Sequence, residues 1–212
     1  MPRLGLFYPL PTSKGVKMKN VFSTKNIAGM AVFSAISFVV YLLEIPIFAG
    51  TPADFLKLDF SNVFVMLAGF MYGPIPAVIV VVVKELIHIT VGTTGGVGEF
   101  ANIIITLSYA LLPSIVYHYK KGFKVVVITL VLACIIQSGV SLIVNRYINF
   151  PFFLEGVPFK VTDSTNAMFS TLWLYVLVFN VIKSVIISAV TILLYKRVSW
   201  LFKKINLQNS SN

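Results

Sequence analysis

Asn180 and Lys183 stand inside LVFNVIKSVIISAVTILLY (177–195), a run that is otherwise almost wholly apolar. Their i, i+3 spacing puts both on one face of a helix. Glu99 and Asn102 repeat that spacing in GVGEFANIIITL, and Asn145 closes SLIVN. An amide both donates and accepts, an ammonium donates, and a carboxylate accepts. Side chains of this kind, drawn from separate apolar runs and converging beneath a loop, suit a polar solute that is uncharged or weakly acidic. The competing reading is interhelical hydrogen bonding, worth only ~0.6 kcal/mol per contact. That accounts for one or two such residues more readily than for all of them.

Catalytic chemistry is hard to find. His88 and His118 lie in different apolar runs, and no His-Glu-x-x-His, Cys-x-x-Cys or nucleophile-elbow pattern occurs. Both histidines read as packing or interfacial residues. Gly92, Gly95, Gly96 and Gly98 form a flexible turn, not a phosphate loop, because no Gly-Lys-Ser/Thr follows. The single cysteine, Cys134, excludes an internal disulfide and reads as a small hydrophobe. Lys84 and Glu85 sit side by side in an apolar run, where ionisable groups are expensive and face protein or water. Together they could form a proton relay. Nothing points to a metal, a cofactor or an enzyme.

The elements that must position these residues are set by composition. The 212 residues are 58% hydrophobic and 11% charged, with a mean hydropathy of +0.91. Soluble domains carry about a quarter charged residues, so the solvent here is lipid. The segments of ~10 residues with strict alternation that a membrane β-barrel needs are absent. The expectation is an all-α integral membrane protein of six transmembrane helices, at roughly 26–48, 61–72, 75–92, 101–119, 124–147 and 170–196. The second is too short to cross upright, so it must be surrounded by protein or line a cavity. Pro74 suits the first turn of the third. The stretches AGTPADFLKLDF and 149–169 read as outer loops. In the first helix Ala28, Ala31 and Ala35 form a small-residue ridge, suited to close approach of another helix within the chain or outside it.

The net charge of +10 is distributed by topology and calls for no nucleic acid. With the N-terminus inside, Arg3, Lys14, Lys17, Lys19, Lys25, Lys120, Lys121, Lys124, Lys196, Arg197, Lys203 and Lys204 are all cytoplasmic. The acids Glu44, Asp54, Asp59, Glu85, Glu99, Glu155 and Asp163 fall in the outer half or beyond. This bias predicts cytoplasmic N- and C-termini. Trp173 and Tyr175 suit the outer interface, and Tyr117, Tyr119 and Trp200 the inner one. Residues 1–20 read as a leader or cytoplasmic tail, with Met18 an alternative start. Residues 21–204 form one membrane domain, and 205–212 a cytoplasmic tail.

Three runs carry a resemblance. FLKLDFSNVFVMLAGFMYGP, GGVGEFANII and FNVIKS are similar, in order and separation, to runs of the riboflavin-specific substrate-binding subunits (S components) of energy-coupling-factor (ECF) vitamin transporters. The resemblance extends from Met18 to Lys204. It implies a six-helix protein of the bacterial plasma membrane that captures riboflavin from outside. Uptake would be driven by a transmembrane coupling subunit and two ATP-binding-cassette ATPases. It also implies a riboflavin site made by Phe55, Leu56 and Lys57 of the first outer loop, with Glu99, Asn102, Asn145, Asn180 and Lys183. Ala31 and Ala35 match the ridge by which S components dock on the coupling subunit. Asn62, Phe64, Glu85 and Ser184 depart from the family pattern, which usually has Asp, Pro, Asn and Gly there. The alternatives are the same fold with another vitamin or precursor (thiamin, folate, a queuosine precursor), a self-sufficient secondary transporter, or a membrane enzyme. The inverted repeats of many secondary transporters are not visible.

Overall fold

The computed structural model describes residues 22–208, with side chains for 22–24 and 26–195. The expectations about residues 1–20, Met18, Trp200 and the terminal basic residues lie outside the described residues and side chains. The elements are α1 (Thr24–Tyr41), β1 (Ile45–Pro46), β2 (Lys57–Leu58), α2 (Ser61–Tyr72), α3 (Pro74–His88), α4 (Val97–Tyr119), α5 (Phe123–Val144), a π-helical turn (Asn145–Asn149), α6 (Phe150–Glu155) and α7 (Asp163–Gln208).

Three stretches are long and apolar enough to cross a bilayer: Val97–Tyr119, Phe123–Glu155 and Asp163–Tyr195. The side-chain distribution is that of a protein dissolved in lipid. Ile135 and Leu193 are 67% and 66% exposed, while Lys84, Glu85 and Gln137 are at most 1% exposed. In water such an arrangement would be unstable, because exposed apolar surface and buried charge are both costly.

The short helix α2 sits inside the bundle, packed by α1, α3, α4 and α7. Most of its side chains are buried. Gly73 takes φ 106° between α2 and α3, a conformation in which a side chain is strained. Pro74 then opens α3 in its first turn, where its missing N–H costs nothing. Gly69 lets α2 approach α4, since a Cβ there would come within 2.0 Å of Ser114 Oγ.

Several boundaries differ from expectation. The first helix ends at Tyr41, and the residues expected to prolong it form the antiparallel pair β1–β2, with Ile45 opposite Leu58 and Pro46 opposite Lys57. Pro46 lacks the N–H that a continuing helix would need. The third helix closes at His88, short of the glycine turn. The fifth continues through the π turn into α6, and α7 starts at Asp163, so much of 149–169 is helical and not loop. Pro151 has no N–H to return to the Tyr147 carbonyl. The Phe159 amide donates to that carbonyl instead, at 2.7 Å, and so ties the chain after α6 back onto the π turn.

Two apolar clusters matter for the site. One fills the bundle around α2, with Val63, Met66, Tyr109, Leu130 and Ile187. The other packs the first loop onto α6 and α7 through Ala53, Leu56, Leu58, Phe150, Val176 and Phe179. The loop is therefore anchored as a roof.

Candidate functional site

Beneath that roof lies a cavity of about 510 Å³, within the range of small-molecule sites. Phe55, Leu56 and Lys57 of the loop, Glu99 and Asn102 of α4, Asn145 of the π turn, and Asn180 and Lys183 of α7 all line it. Thus every residue that the resemblance assigns to riboflavin lines one space, while Ala31 and Ala35, expected for docking, stand exposed on α1. Phe55, Phe153, Phe179, Ile105 and Ala101 supply apolar wall.

The π turn aims two amides at the cavity. Asn145 Nδ2 donates to the Ser141 carbonyl at 2.8 Å, and Asn149 Nδ2 donates to Asn145 Oδ1 at 3.0 Å. Such single-turn π segments occur often at functional sites. Asn180 is held from both sides: its Nδ2 donates to Val176 O at 2.9 Å, and Gln137 Nε2 donates to its Oδ1 at 3.3 Å. Its orientation is therefore set by α5 as well as α7.

Lys183 answers for its charge locally. Its Nζ lies 2.6 Å from Asp59 Oδ2, with the side chains 8% and 2% exposed. Asp59 Oδ1 also accepts from the Ser61 backbone N–H at 2.9 Å and from the Ser61 hydroxyl. Burial alone would raise the Asp59 carboxyl. The Lys183 and Lys84 charges, with hydrogen bonds from Lys183 and Ser61, outweigh it and hold the group well below the usual carboxylate range.

The network continues away from the cavity. Lys84 Nζ donates to Ser61 Oγ at 2.9 Å and to Asn62 Oδ1 at 3.3 Å, and pairs with Glu85 Oε1 at 2.9 Å. Glu85 Oε1 in turn accepts from Asn102 Nδ2 at 2.6 Å. Asn102 Nδ2 also donates to the Tyr41 hydroxyl at 3.3 Å. Lys84 and Glu85 stand behind the cavity wall and brace Asn102 and Ser61. At the end of α3, His88 stacks on Tyr41 with ring centroids 4.0 Å apart, and its Nδ1 lies 2.9 Å from Glu99 Oε1. Thr94 donates to Glu99 Oε2 at 2.6 Å. His88 therefore lines the cavity as well as packing on Tyr41, the kind of role its sequence context suggests.

The chain matches the family described as "ECF transporter, substrate-specific component" over residues 25–195. It belongs to the ECF transporter S components. Among relatives of this S component is the riboflavin transporter RibU of Staphylococcus aureus (strain TCH60). The two are 33% identical over 191 residues, 90% of this chain and 99% of that protein. The riboflavin transporter FmnP of Bacillus subtilis (strain 168) is 29% identical over 177 residues, 81% of this chain and 90% of its own length. A solved structure described as the S component of a bacterial ECF transporter superposes with a TM-score of 0.71 at 31% identity. It covers 84% of this chain and 98% of the other. The relatives are named as transporters, not enzymes.

In this S component, sequence reasoning passed over Tyr41, Glu44, Asp59, His88 and Asn149, all of which line the cavity. Asn149 had a signal, the i, i+4 spacing from Asn145. Asp59 had one too, since Lys183 in an apolar helix demands a buried acid.

Proposed function

We propose that this S component captures riboflavin from outside the cell and hands it to an ECF coupling subunit powered by two ATPases. The observation that carries the reading is the cavity itself, lined by every residue that the family resemblance assigns to riboflavin. Two relatives named as riboflavin transporters, matched along most of this chain, support the same ligand. Aromatic and aliphatic wall suits the isoalloxazine ring, and the amides suit its polar edge and the ribityl hydroxyls.

Further parts of the reading concern position and partner. The chain crosses the plasma membrane six times with both termini in the cytoplasm, as the lysine and arginine bias favours. The coupling subunit seats on the face of α1 that carries Ala31 and Ala35; both residues are exposed, which leaves that face open to another helix.

The test is riboflavin titration of the purified protein, followed by quenching of flavin fluorescence. Saturable one-to-one quenching is expected, together with visible flavin absorption in protein purified without added ligand. Absence of any riboflavin binding, with thiamin or folate binding instead, would transfer the fold to another vitamin.

A further inference from the structure

A second hollow lies outside the cavity, on the lipid-facing side of α4 and α5. Phe100 and Ile104 of α4, Val140 and Ile143 of α5, Tyr147 of the π turn and Phe159 border about 410 Å³ with no polar surface. None of them lines the cavity beneath the roof. Both walls belong to stretches long and apolar enough to cross a bilayer. From Val140 to Tyr147 the groove runs about 10 Å at ~1.5 Å per residue. That is roughly two thirds of one leaflet's share of the ~30 Å hydrocarbon core.

The end of the groove is strained. Phe159 closes it with φ 66°, a left-handed backbone that a bulky residue rarely adopts. Its N–H, donated to the Tyr147 carbonyl at 2.7 Å, holds that conformation, yet its ring stays 65% exposed. Strain kept for an exposed ring points to something that the ring covers.

Arg146 stands beside this end. Its guanidinium carbon lies 5.6 Å from the ring centroid of Tyr147 and 5.3 Å from that of Phe169, so two aromatic faces hold the charge in place. Its Nη2 donates to Asn166 Oδ1 at a long 3.4 Å, and its Nε has no partner among the described residues. Nor does it make an ion pair among them. Glu155, at the end of α6, is already engaged by Lys160 at 2.7 Å and Thr162 at 3.0 Å. A guanidinium at the edge of hydrocarbon without a carboxylate suits phosphate oxygens, the acceptors that a bilayer offers there.

We propose that this face retains one anionic glycerophospholipid from the leaflet at the cavity end, its acyl chain in the groove under Phe159 and its phosphate on Arg146. A glycerophospholipid joins the two features by its own chemistry, an apolar chain ending in a phosphodiester. The site is independent of the riboflavin reading.

The test is native mass spectrometry of the full-length protein, delipidated in detergent and offered phosphatidylglycerol or phosphatidylcholine with identical chains. The wild type should hold one phosphatidylglycerol with about fivefold preference over phosphatidylcholine, the size expected of one arginine at a membrane surface. Arg146→Gln should erase the preference. Ile143→Trp, which fills the groove from its exposed side, should weaken both lipids. Lys121→Gln, at the opposite end of the bundle, should change neither. Unfolding temperatures of the variants near that of the wild type certify their fold. Equal retention of the two lipids by the wild type, or a preference that survives Arg146→Gln, would overturn the headgroup contact. Undiminished lipid in Ile143→Trp would overturn the groove, and a preference lost in Lys121→Gln would place the lipid at the other end.

Discussion

Lys183 has two demands on it, the cavity and the Asp59 carboxylate, and they predict different phenotypes. Seen only as a ligand donor, Lys183→Met should weaken riboflavin and leave the fold alone. The buried pair adds a structural cost: Lys183→Met strands Asp59, and Asp59→Asn strands Lys183, each at about 3–5 kcal/mol. The double variant removes both charges and should recover most of the stability but not the affinity. Thermal unfolding in detergent and riboflavin titration of the same samples separate the two effects; a double variant as unstable as the singles would refute the pairing argument. The sign of the pH dependence follows from the depressed Asp59 carboxyl. Its stabilisation is complete above about pH 4 and is lost only as pH falls through its lower folded value. Unfolding between pH 5 and 8 should therefore be insensitive to this pair. Gly92 offers a second residue-scale test. A Cβ there would meet Glu99 Oε1 at 2.1 Å, so Gly92→Ala should push the carboxylate off His88. The flexible carboxylate yields, while the His88 backbone carbonyl at 3.2 Å has to give by a few tenths of an ångström, so a small loss of stability should accompany a fall in riboflavin affinity of about tenfold, ~1.4 kcal/mol.

At the scale of elements, α1 and α2 carry opposite kinds of small residue. Ala28, Ala31 and Ala35 are exposed, so this face of α1 is open to a helix from outside the chain. Replacing Ala31 and Ala35 with leucine should abolish uptake in cells while riboflavin binding by the purified protein stays near wild type. Parallel loss of both would mean that α1 shapes the cavity. Gly69 is the internal counterpart. Gly69→Ala drives a methyl onto Ser114, 2.0 Å from its Oγ and 2.9 Å from its Cβ, and should cost about 1–3 kcal/mol in overpacking. Its signature is a lowered unfolding temperature with riboflavin affinity intact.

For the molecule as a whole, the decisive quantity is which way the cavity opens. The cavity lies among the loop after α1, the glycine turn after α3 and the π turn after α5, at the end of the bundle opposite the Lys120–Lys124 turn. If basic residues stay inside, the cavity faces out. Single cysteines at Ser164 and Lys121, placed in a chain whose Cys134 has been removed, should react with an impermeant thiol reagent on intact cells at the first position only. Labelling at Lys121 alone would turn the cavity to the cytoplasm and end its role in capture.

The sequence by itself determined the solvent, the helical class and much of the cavity lining. Hydropathy is a sum over residues, and a polar side chain such as Asn180 or Lys183 stands out against its apolar neighbours whatever the fold. The family resemblance added Phe55, Leu56 and Lys57, which nothing in their own surroundings singles out. Partners were another matter. Lys183 meets Asp59 across a separation of 124 residues, and His88 meets Glu99 only because the glycine turn doubles back between α3 and α4. The helix limits escaped for a related reason: whether Ile45 and Pro46 extend a helix or form a strand depends on Lys57 and Leu58 being there to pair with them. Which acid matches which cation, and hence the charge that a ligand meets, is a property of distances between chain-distant side chains, and only the tertiary structure decides those.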